Sequence, residues 1–255
     1  MATDLTYSGG KVRLYVEPAL GQGVRVVPDE GQAHYLLHVM RAKVGDRVSL
    51  FNGRDGEWLA RIAEASKRGC ELECERLTAK QAGVPDLWLV FAPIKKTPAD
   101  YLTQKATELG VRALQPVITR RTIVTRVNLE RMRANAVEAT EQSGRLDVPD
   151  IREPLAFDKL LAAWPRERRI LFCDEAGATA TAWGAPPIAE ALRAAPECPW
   201  AVFTGPEGGF DPMERAALRA LPFVAPVSLG LRILRADTAA LAALSVWQAI
   251  KGDWR

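Results

Sequence analysis

Hydrophobic and polar residues alternate along several short segments at the start of the chain, which is typical of half-buried strands. Four segments follow this pattern: residues 11–16, 46–52, 56–62 and 69–75. A helical pattern over residues 31–41 follows the first of them, and hairpin-forming Asn52-Gly53 follows the second. Short strands at this spacing predict a small β-barrel domain over residues 1–80.

The pattern changes after residue 80, where continuous apolar runs alternate with amphipathic helical segments. The runs predict buried strands over residues 87–93, 113–118, 169–175, 200–205 and 223–230. Helices are predicted over residues 98–110, 129–144 and 238–250. This alternation predicts an α/β domain with a mostly parallel sheet over residues 81–255.

Composition excludes several classes of protein. Hydrophobic residues make up 48% and charged residues 25%, which argues against a disordered or fibrous chain. Without a long apolar run or a secretory signal, we expect a cytoplasmic protein with no membrane span. The four cysteines lack metal-ligand spacing, and His34 and His38 have no third ligand, so we expect no metal.

Positive charge is concentrated in one part of the chain, although the net charge is only +3. Residues 95–133 contain nine basic and three acidic residues, a local excess of six. Such an excess indicates contact with a phosphate backbone, but a solvated helix face has the same composition. Charge alone therefore leaves both interpretations open.

Two connections follow predicted strands in the second half, where open α/β sheets bind their ligands. The first, FTGPEGGFD (203–211), is rich in glycine and leads into a helix with Asp211 as N-cap and Pro212 at its first position. It matches neither a dinucleotide fingerprint nor a P-loop. By itself it predicts a tight strand-to-helix turn.

The second connection is VSLGLRILRADTA (227–239). Here an apolar strand is expected to break at Gly230 and to resume at Ile233 and Leu234. Arg235 follows, and Asp237 is expected to cap the final helix. A third strand end, CDEAG (173–177), carries two carboxylates.

Together, GPEGGF and LGLRILRADTA resemble the RsmE-like family of ribosomal RNA small subunit methyltransferases, within the SPOUT superfamily of knotted methyltransferases. QKATELGV (104–111), the basic pair at 120–121 and EATEQSGR (138–145) match the same family. In the first 80 residues, VMR (39–41) and FNGRDG (51–56) are similar to its PUA-like β-barrel. Departures are Met40 for leucine, Leu231 for proline and Asp237 for glutamate.

The resemblance implies a C-terminal trefoil-knotted SPOUT α/β domain with a small N-terminal PUA-like β-barrel domain. It implies a homodimer that transfers a methyl group from S-adenosylmethionine to N3 of uridine 1498 in 16S rRNA. The RNA or the small ribosomal subunit would be the partner. A trefoil knot runs against the general rule that chains do not thread their own loops.

For this reaction, we expect the two connections to bind the cofactor through exposed backbone and apolar side chains. The expected cofactor residues are Thr204, Gly205, Glu207, Gly208, Gly209, Leu229, Gly230, Ile233 and Leu234. Arg235 is the expected catalytic cation, because a fixed arginine can stabilise the charge that develops on the uracil ring. Glu207 is either the proton acceptor or a residue that only ties down its loop.

RNA contact is expected from basic residues in both domains, since phosphate contacts position a nucleic acid. They are Arg13, Arg41, Arg54, Lys95, Lys96, Arg120, Arg121 and Arg145. Two other functions stay open: a ribose 2′-O RNA methyltransferase, and a non-catalytic RNA-binding ribosome-assembly factor. The intact glycine connection favours catalysis over the second of these.

Overall fold

The computed structural model describes residues 12–66, 69–124, 126–174 and 185–255, without the side chains of residues 96 and 97. The chain forms two compact units. The first comprises Met1–Gly83 and Thr140–Val148, and the second comprises Val84–Ala139 and Pro149–Arg255. The domain boundary between residues 80 and 81 stays a prediction.

The first unit contains a five-stranded sheet within its described residues. In chain order the strands are β1 (Arg13–Tyr15), β2 (Arg25–Val26), β3 (Arg47–Phe51), β4 (Glu57–Ser66) and β5 (Gly69–Ala79). Their order across the sheet is β1-β3-β4-β5-β2, with β1 parallel to β3 and the other pairs antiparallel. The four predicted strands are confirmed, whereas the two-residue β2 gave no recognisable pattern.

The predicted helix of this unit is confirmed but irregular. It consists of α1 (Glu30–His34), capped by Asp29, and a following π-helical turn, Tyr35–Val39. Leu36 of this turn is fully buried, as are Leu50, Ile62 and Leu72 of the sheet. These apolar side chains form one core beneath the sheet.

The second unit is built on parallel strands. They are β6 (Leu87–Phe91), β7 (Ala113–Ile118), β8 (Asp150–Ile151), β9 (Leu155–Ala156), β10 (Arg169–Cys173), β11 (Trp200–Thr204) and β12 (Val224–Val227). The path across the sheet is β12-β10-β11-β6-β7-β8, and β9 also pairs with β7. All five residues of β11 are buried, which explains its continuous apolar sequence.

Helices cover both faces of this sheet. They are α2 (Lys96–Glu108), α3 (Leu129–Ser143), α4 (Phe157–Ala162), α5 (Ile188–Ala194), α6 (Pro212–Arg219) and α7 (Ala236–Ile250). One core lies between the sheet and α2, α5 and α7, and a second lies between the sheet and α4 and α6. The predicted parallel α/β domain is therefore confirmed, and the trefoil knot stays a prediction.

Two expectations for the end of the chain are wrong. The strand near residue 223 ends at Val227 and does not resume: Ile233 is 78% exposed, and it pairs with none of the strands that the structure describes. Arg235, not Asp237, is the N-cap of α7. Asp237 lies in the first turn and accepts the backbone N–H of Thr238 (2.8 Å).

The expectation for the start of α6 is confirmed. Asp211 is its N-cap, its side chain accepts the N–H of Met213, and Pro212 is the first helical residue. Glu214 completes a capping box by accepting the N–H of Asp211 (3.2 Å). None of the helices within the described ranges is long and apolar enough to cross a membrane.

Three aromatic rings pack beneath the connection between β11 and α6. The ring of Phe210 lies edge-on to those of Phe203 and Phe172, with centroids 5.2 and 4.9 Å away. A Cβ atom on Gly205 would lie 2.7 Å from Cε2 of Phe210. Glycine is therefore needed at position 205 because the buried ring of Phe210 fills the space of a side chain.

Arg13 connects β1 with the end of α3 inside the first unit. Its Nε donates to Glu57 (2.9 Å), Nη1 donates to the carbonyls of Thr140 and Glu141, and Nη2 donates to that of Arg145. The Arg13 and Glu57 side chains are only 3% and 12% exposed. The guanidinium thus satisfies carbonyl groups that a helix end leaves without partners.

Replacing Arg13 with methionine is expected to lower the free energy of unfolding by about 3–5 kcal/mol, because Glu57 would stay buried without its partner. Arg25→Met is the matched control, since Arg25 forms an exposed pair with Glu71 that should contribute less than about 1 kcal/mol. Urea unfolding measures both. Equal losses in the two variants would contradict the role given to Arg13.

Gly205→Ala is expected to lower the free energy of unfolding by about 1–3 kcal/mol, because the added methyl group overlaps the Phe210 ring. Gly208→Ala is the control: its Cβ would meet Cβ of Arg121 at 3.8 Å, an ordinary contact. This control should change stability by less than about 0.5 kcal/mol. A Gly205→Ala protein as stable as the control would disprove the packing argument.

Candidate active site

A cavity of about 370 Å³ lies in the second unit at the carboxyl ends of β10, β11 and β12. These ends meet at one edge because the strands are parallel and adjacent in the sheet. Among the described residues, four chain segments line the cavity: Ile94 and Pro98; Cys173 and Asp174; residues 204–207 with Phe210; and residues 227–230, 232–237 and 239.

The glycine turn, residues 205–209, forms one wall. The backbone N–H of Gly209 donates to the carbonyl of Pro206 (2.9 Å), which closes the turn. Gly209 has φ +68°, a conformation that favours glycine. Thr204, Gly205 and Glu207 line the cavity, whereas Gly208 and Gly209 do not, so the turn presents only its first half to the cavity.

The opposite wall is the connection between β12 and α7. Leu229, Gly230, Ile233 and Leu234 all line the cavity, as the sequence led us to expect of cofactor residues. Gly230 has φ +104°, and its N–H donates to Oγ of Ser228 (3.2 Å). A Cβ atom at Gly230 would meet no other atom within 4 Å. This part of the backbone is therefore open to a ligand.

Charged side chains of both signs line the cavity. Arg232, Arg235 and Glu207 are exposed, and Asp237 is partly buried. The Arg235 side chain makes no capping bond to α7 although its backbone forms the N-cap, so the cation projects from a fixed backbone position. The arrangement can place a cation and a carboxylate beside one bound substrate.

Cys173 is the last residue of β10 and Asp174 follows it; the two are the first residues of the sequence CDEAG (173–177). The buried Asp174 carboxylate pairs with Arg215 (3.0 Å) and Arg219 (2.8 Å) of α6, so its charge is neutralised. Burial raises the pKa of the Cys173 thiol to about 12, so this thiol stays protonated at neutral pH and is a poor nucleophile. Glu175, the other carboxylate there, lies outside the described residues.

Several lining residues were missed by the sequence reasoning. Ile94 belongs to the connection from β6 to α2, and Pro98 lies in the first turn of α2. Arg232 lies between the exposed side chains of Leu231 and Ile233. The position of β6 next to β11 brings Ile94 to the cavity. The parallel-sheet prediction could have suggested this connection, because it also follows a strand end.

Two residues expected to contact RNA are buried, and these expectations are corrected. Arg13 is 6% exposed and its donors are bonded to Glu57 and to backbone carbonyls. The Arg145 side chain is also only 6% exposed and pairs with Asp147 (3.3 Å). A phosphate group cannot reach a guanidinium that the fold has enclosed, so neither residue is available for RNA.

The other residues expected to contact RNA are exposed where described. In the first unit they are Arg41, which has φ +55°, and Arg54, which donates to the carbonyl of Glu17. In the second unit they are Lys95, Arg120 and Arg121. Lys96 begins α2, and its side chain lies outside the described part of the chain.

The sequence matches two family models. Residues 81–248 match an RNA methyltransferase domain, and residues 28–74 match an RNA methyltransferase PUA domain. Proteins named ribosomal RNA small subunit methyltransferase E are similar over most of their length. The protein from Rickettsia conorii is 31% identical over 91% of this chain and 93% of its own. That from Synechocystis is 32% identical over 93% of this chain and 77% of its own.

Solved structures agree with these matches. The Neisseria gonorrhoeae ribosomal RNA small subunit methyltransferase E, bound to S-adenosyl methionine, has a TM-score of 0.83 and 28% identity. The comparison covers 96% of this chain and 99% of that one. A Legionella pneumophila methyltransferase in complex with the same cofactor has a TM-score of 0.82 and 27% identity, over 95% and 98% of the two chains. This chain therefore belongs to the RNA methyltransferase family that includes ribosomal RNA small subunit methyltransferase E.

Proposed function

We propose that this protein methylates the RNA of the small ribosomal subunit and takes the methyl group from S-adenosylmethionine. The observation that carries the proposal is that residues 205–207 of the glycine turn line one cavity together with residues 229, 230 and 232–235. The similar proteins of Neisseria gonorrhoeae and Legionella pneumophila hold this cofactor in their structures. The finer proposal, based on the resemblance of the sequence motifs, is methylation of N3 of uridine 1498 in 16S rRNA.

The residues of the cavity fit S-adenosylmethionine. Its volume of about 370 Å³ is within the roughly 300–1,000 Å³ that is usual for small-molecule sites. Ile94, Leu229 and Leu234 offer apolar surface to the adenine ring, and the hydroxyls of Thr204 and Ser228 offer hydrogen bonds. The open backbone at Gly230 allows a ligand to approach closely. Gly208 and Gly209 do not line the cavity, and in this proposal they support the conformation of residues 205–207, which do.

S-adenosylmethionine supplies an electrophilic methyl group when it is bound, so the protein's own residues have to activate the nucleophile, which is weak while it carries its proton. N3 of uracil must lose its proton, and negative charge then spreads onto the two flanking carbonyl oxygens. Arg235 is the group that stabilises this charge, since its side chain lines the cavity without being used as a cap. Glu207 is the proton acceptor in this proposal, as an exposed carboxylate on the facing wall.

RNA binding is proposed for the exposed basic residues of both units. Arg41 and Arg54 would contact the phosphate backbone from the first unit, and Lys95, Arg120 and Arg121 from the second. Lys96 is included among the proposed RNA contacts on the basis of the sequence alone. A homodimer, which the resemblance implies, acting in the cytoplasm, as the sequence led us to expect, completes the proposal.

Small ribosomal subunits from cells that lack the modification test the function directly. Incubation with the protein and S-adenosylmethionine is expected to produce 3-methyluridine at one position, identified by nuclease digestion and mass spectrometry. A methyl group on a ribose 2′-oxygen would instead support the other enzymatic function. RNA binding without methyl transfer and without cofactor binding would support an assembly factor and disprove catalysis.

Arg235→Ala is expected to lower kcat about 10²–10³-fold, because the charge that develops in the transition state loses its fixed cation. The dissociation constant for S-adenosylmethionine should change less than about threefold, and Arg235→Lys should restore part of the rate. Arg193→Ala, which removes an exposed arginine of α5 that does not line the cavity, is the control. A loss of cofactor affinity with unchanged kcat would contradict the role of Arg235.

A further inference from the structure

A short turn after β7 lies against the back of the glycine turn. The N–H of Thr119 donates to Oγ1 of Thr122 (2.9 Å), and the N–H of Thr122 donates to the carbonyl of Thr119 (3.1 Å). The two hydroxyl groups are also hydrogen-bonded to each other (2.8 Å). Because Thr119 is buried, these bonds fix the backbone of Arg120 and Arg121 between the two threonines.

Arg120 anchors this turn to the start of α6. Its backbone N–H donates to Oε1 of Glu214 (2.8 Å), and its guanidinium lies 3.6 Å from the Asp211 carboxylate. Glu214 is buried and is also part of the capping box of α6. The 119–122 turn is therefore held in place by contacts that do not involve the side chain of Arg121.

Arg121 makes a different contact, with the glycine turn itself. Its Nη1 donates to the carbonyl of Gly208 (3.0 Å). Gly208 does not line the cavity, but the preceding residue, Glu207, does, and the following Gly209 has φ +68°. Two consecutive glycines leave the backbone freer to rotate than other residues do. The N–H of the peptide group between them donates to Pro206, and the Arg121 guanidinium holds the carbonyl of the same peptide group from outside the cavity.

We propose that Arg121 is a positioning residue that holds the glycine turn in its cofactor-binding conformation and couples that conformation to RNA binding. The proposal rests on the proposed function, since it takes S-adenosylmethionine as the cavity ligand and RNA as the substrate. An arginine has five N–H donors, and Arg121 is exposed while it donates through Nη1 to Gly208. One guanidinium can therefore bind an RNA phosphate and the Gly208 carbonyl together.

The coupling has a defined direction. A phosphate bound to Arg121 restricts the guanidinium, so the bond to Gly208 persists and the cofactor meets a turn that is already ordered. RNA should then increase cofactor affinity, and the cofactor should increase RNA affinity by the same factor. An arginine that only contacted phosphate would have no effect on cofactor affinity in the absence of RNA.

Calorimetric titration of the RNA-free protein with S-adenosylhomocysteine, the unreactive product, tests the positioning role. Arg121→Ala is expected to weaken binding about five- to tenfold, the effect of losing one typical hydrogen bond on the protein surface. Arg121→Lys should recover part of the affinity. Arg126→Ala is the matched control, because it removes an exposed arginine from the same connection, and Arg126 does not line the cavity.

Binding of unmethylated small subunits, measured with and without saturating S-adenosylhomocysteine, tests the coupling. The wild-type protein is expected to bind several-fold more tightly with the ligand, and Arg121→Ala should bind equally in both conditions. Unchanged ligand affinity in Arg121→Ala would overturn the positioning role while leaving the proposed function intact. A coupling that persists in Arg121→Ala would overturn the link to RNA. If the wild-type protein bound no S-adenosylhomocysteine, the proposed function itself would fail.

Discussion

The ring of Phe210 lies against Gly205, and this contact joins the aromatic core to the wall of the cavity. Phe203 and Phe172 place the ring, and they belong to the adjacent parallel strands β11 and β10. The chain leaves β11 through the narrow space above the ring, which only glycine fits. The shape of this part of the cavity wall is thus set by packing in the core.

This packing changes the meaning of the glycine-rich sequence. Gly205 is required by the neighbouring ring, and Gly209 and Gly230 are favoured by their positive φ, while Gly230 also has open space around it. Only the last of these fits the simple idea that glycine allows a ligand to approach. The glycines of the two connections therefore have different physical roles, and a substitution at each of them would affect a different property of the protein.

The arginines also differ in their roles, although the sequence alone does not distinguish them. Arg13 and Arg145 are enclosed in the first unit, where they bind a carboxylate or backbone carbonyls. Arg120 and Arg121 stay exposed but also hold the connection around the glycine turn. A basic residue in the sequence can thus be a structural cross-link, an RNA contact or both, and its burial and its partners decide which.

The sequence by itself determined the alternation of strands and helices, the capping of α6 by Asp211, and the two connections that line the cavity. These are local properties, because hydrophobic periodicity and capping depend on residues close together in the chain. Tertiary structure alone decided that Arg13 is buried, that Ile233 is exposed, and that Ile94 reaches the cavity. Each of these depends on which segments become neighbours in space, and the order of strands in a sheet brings together residues that no local pattern connects.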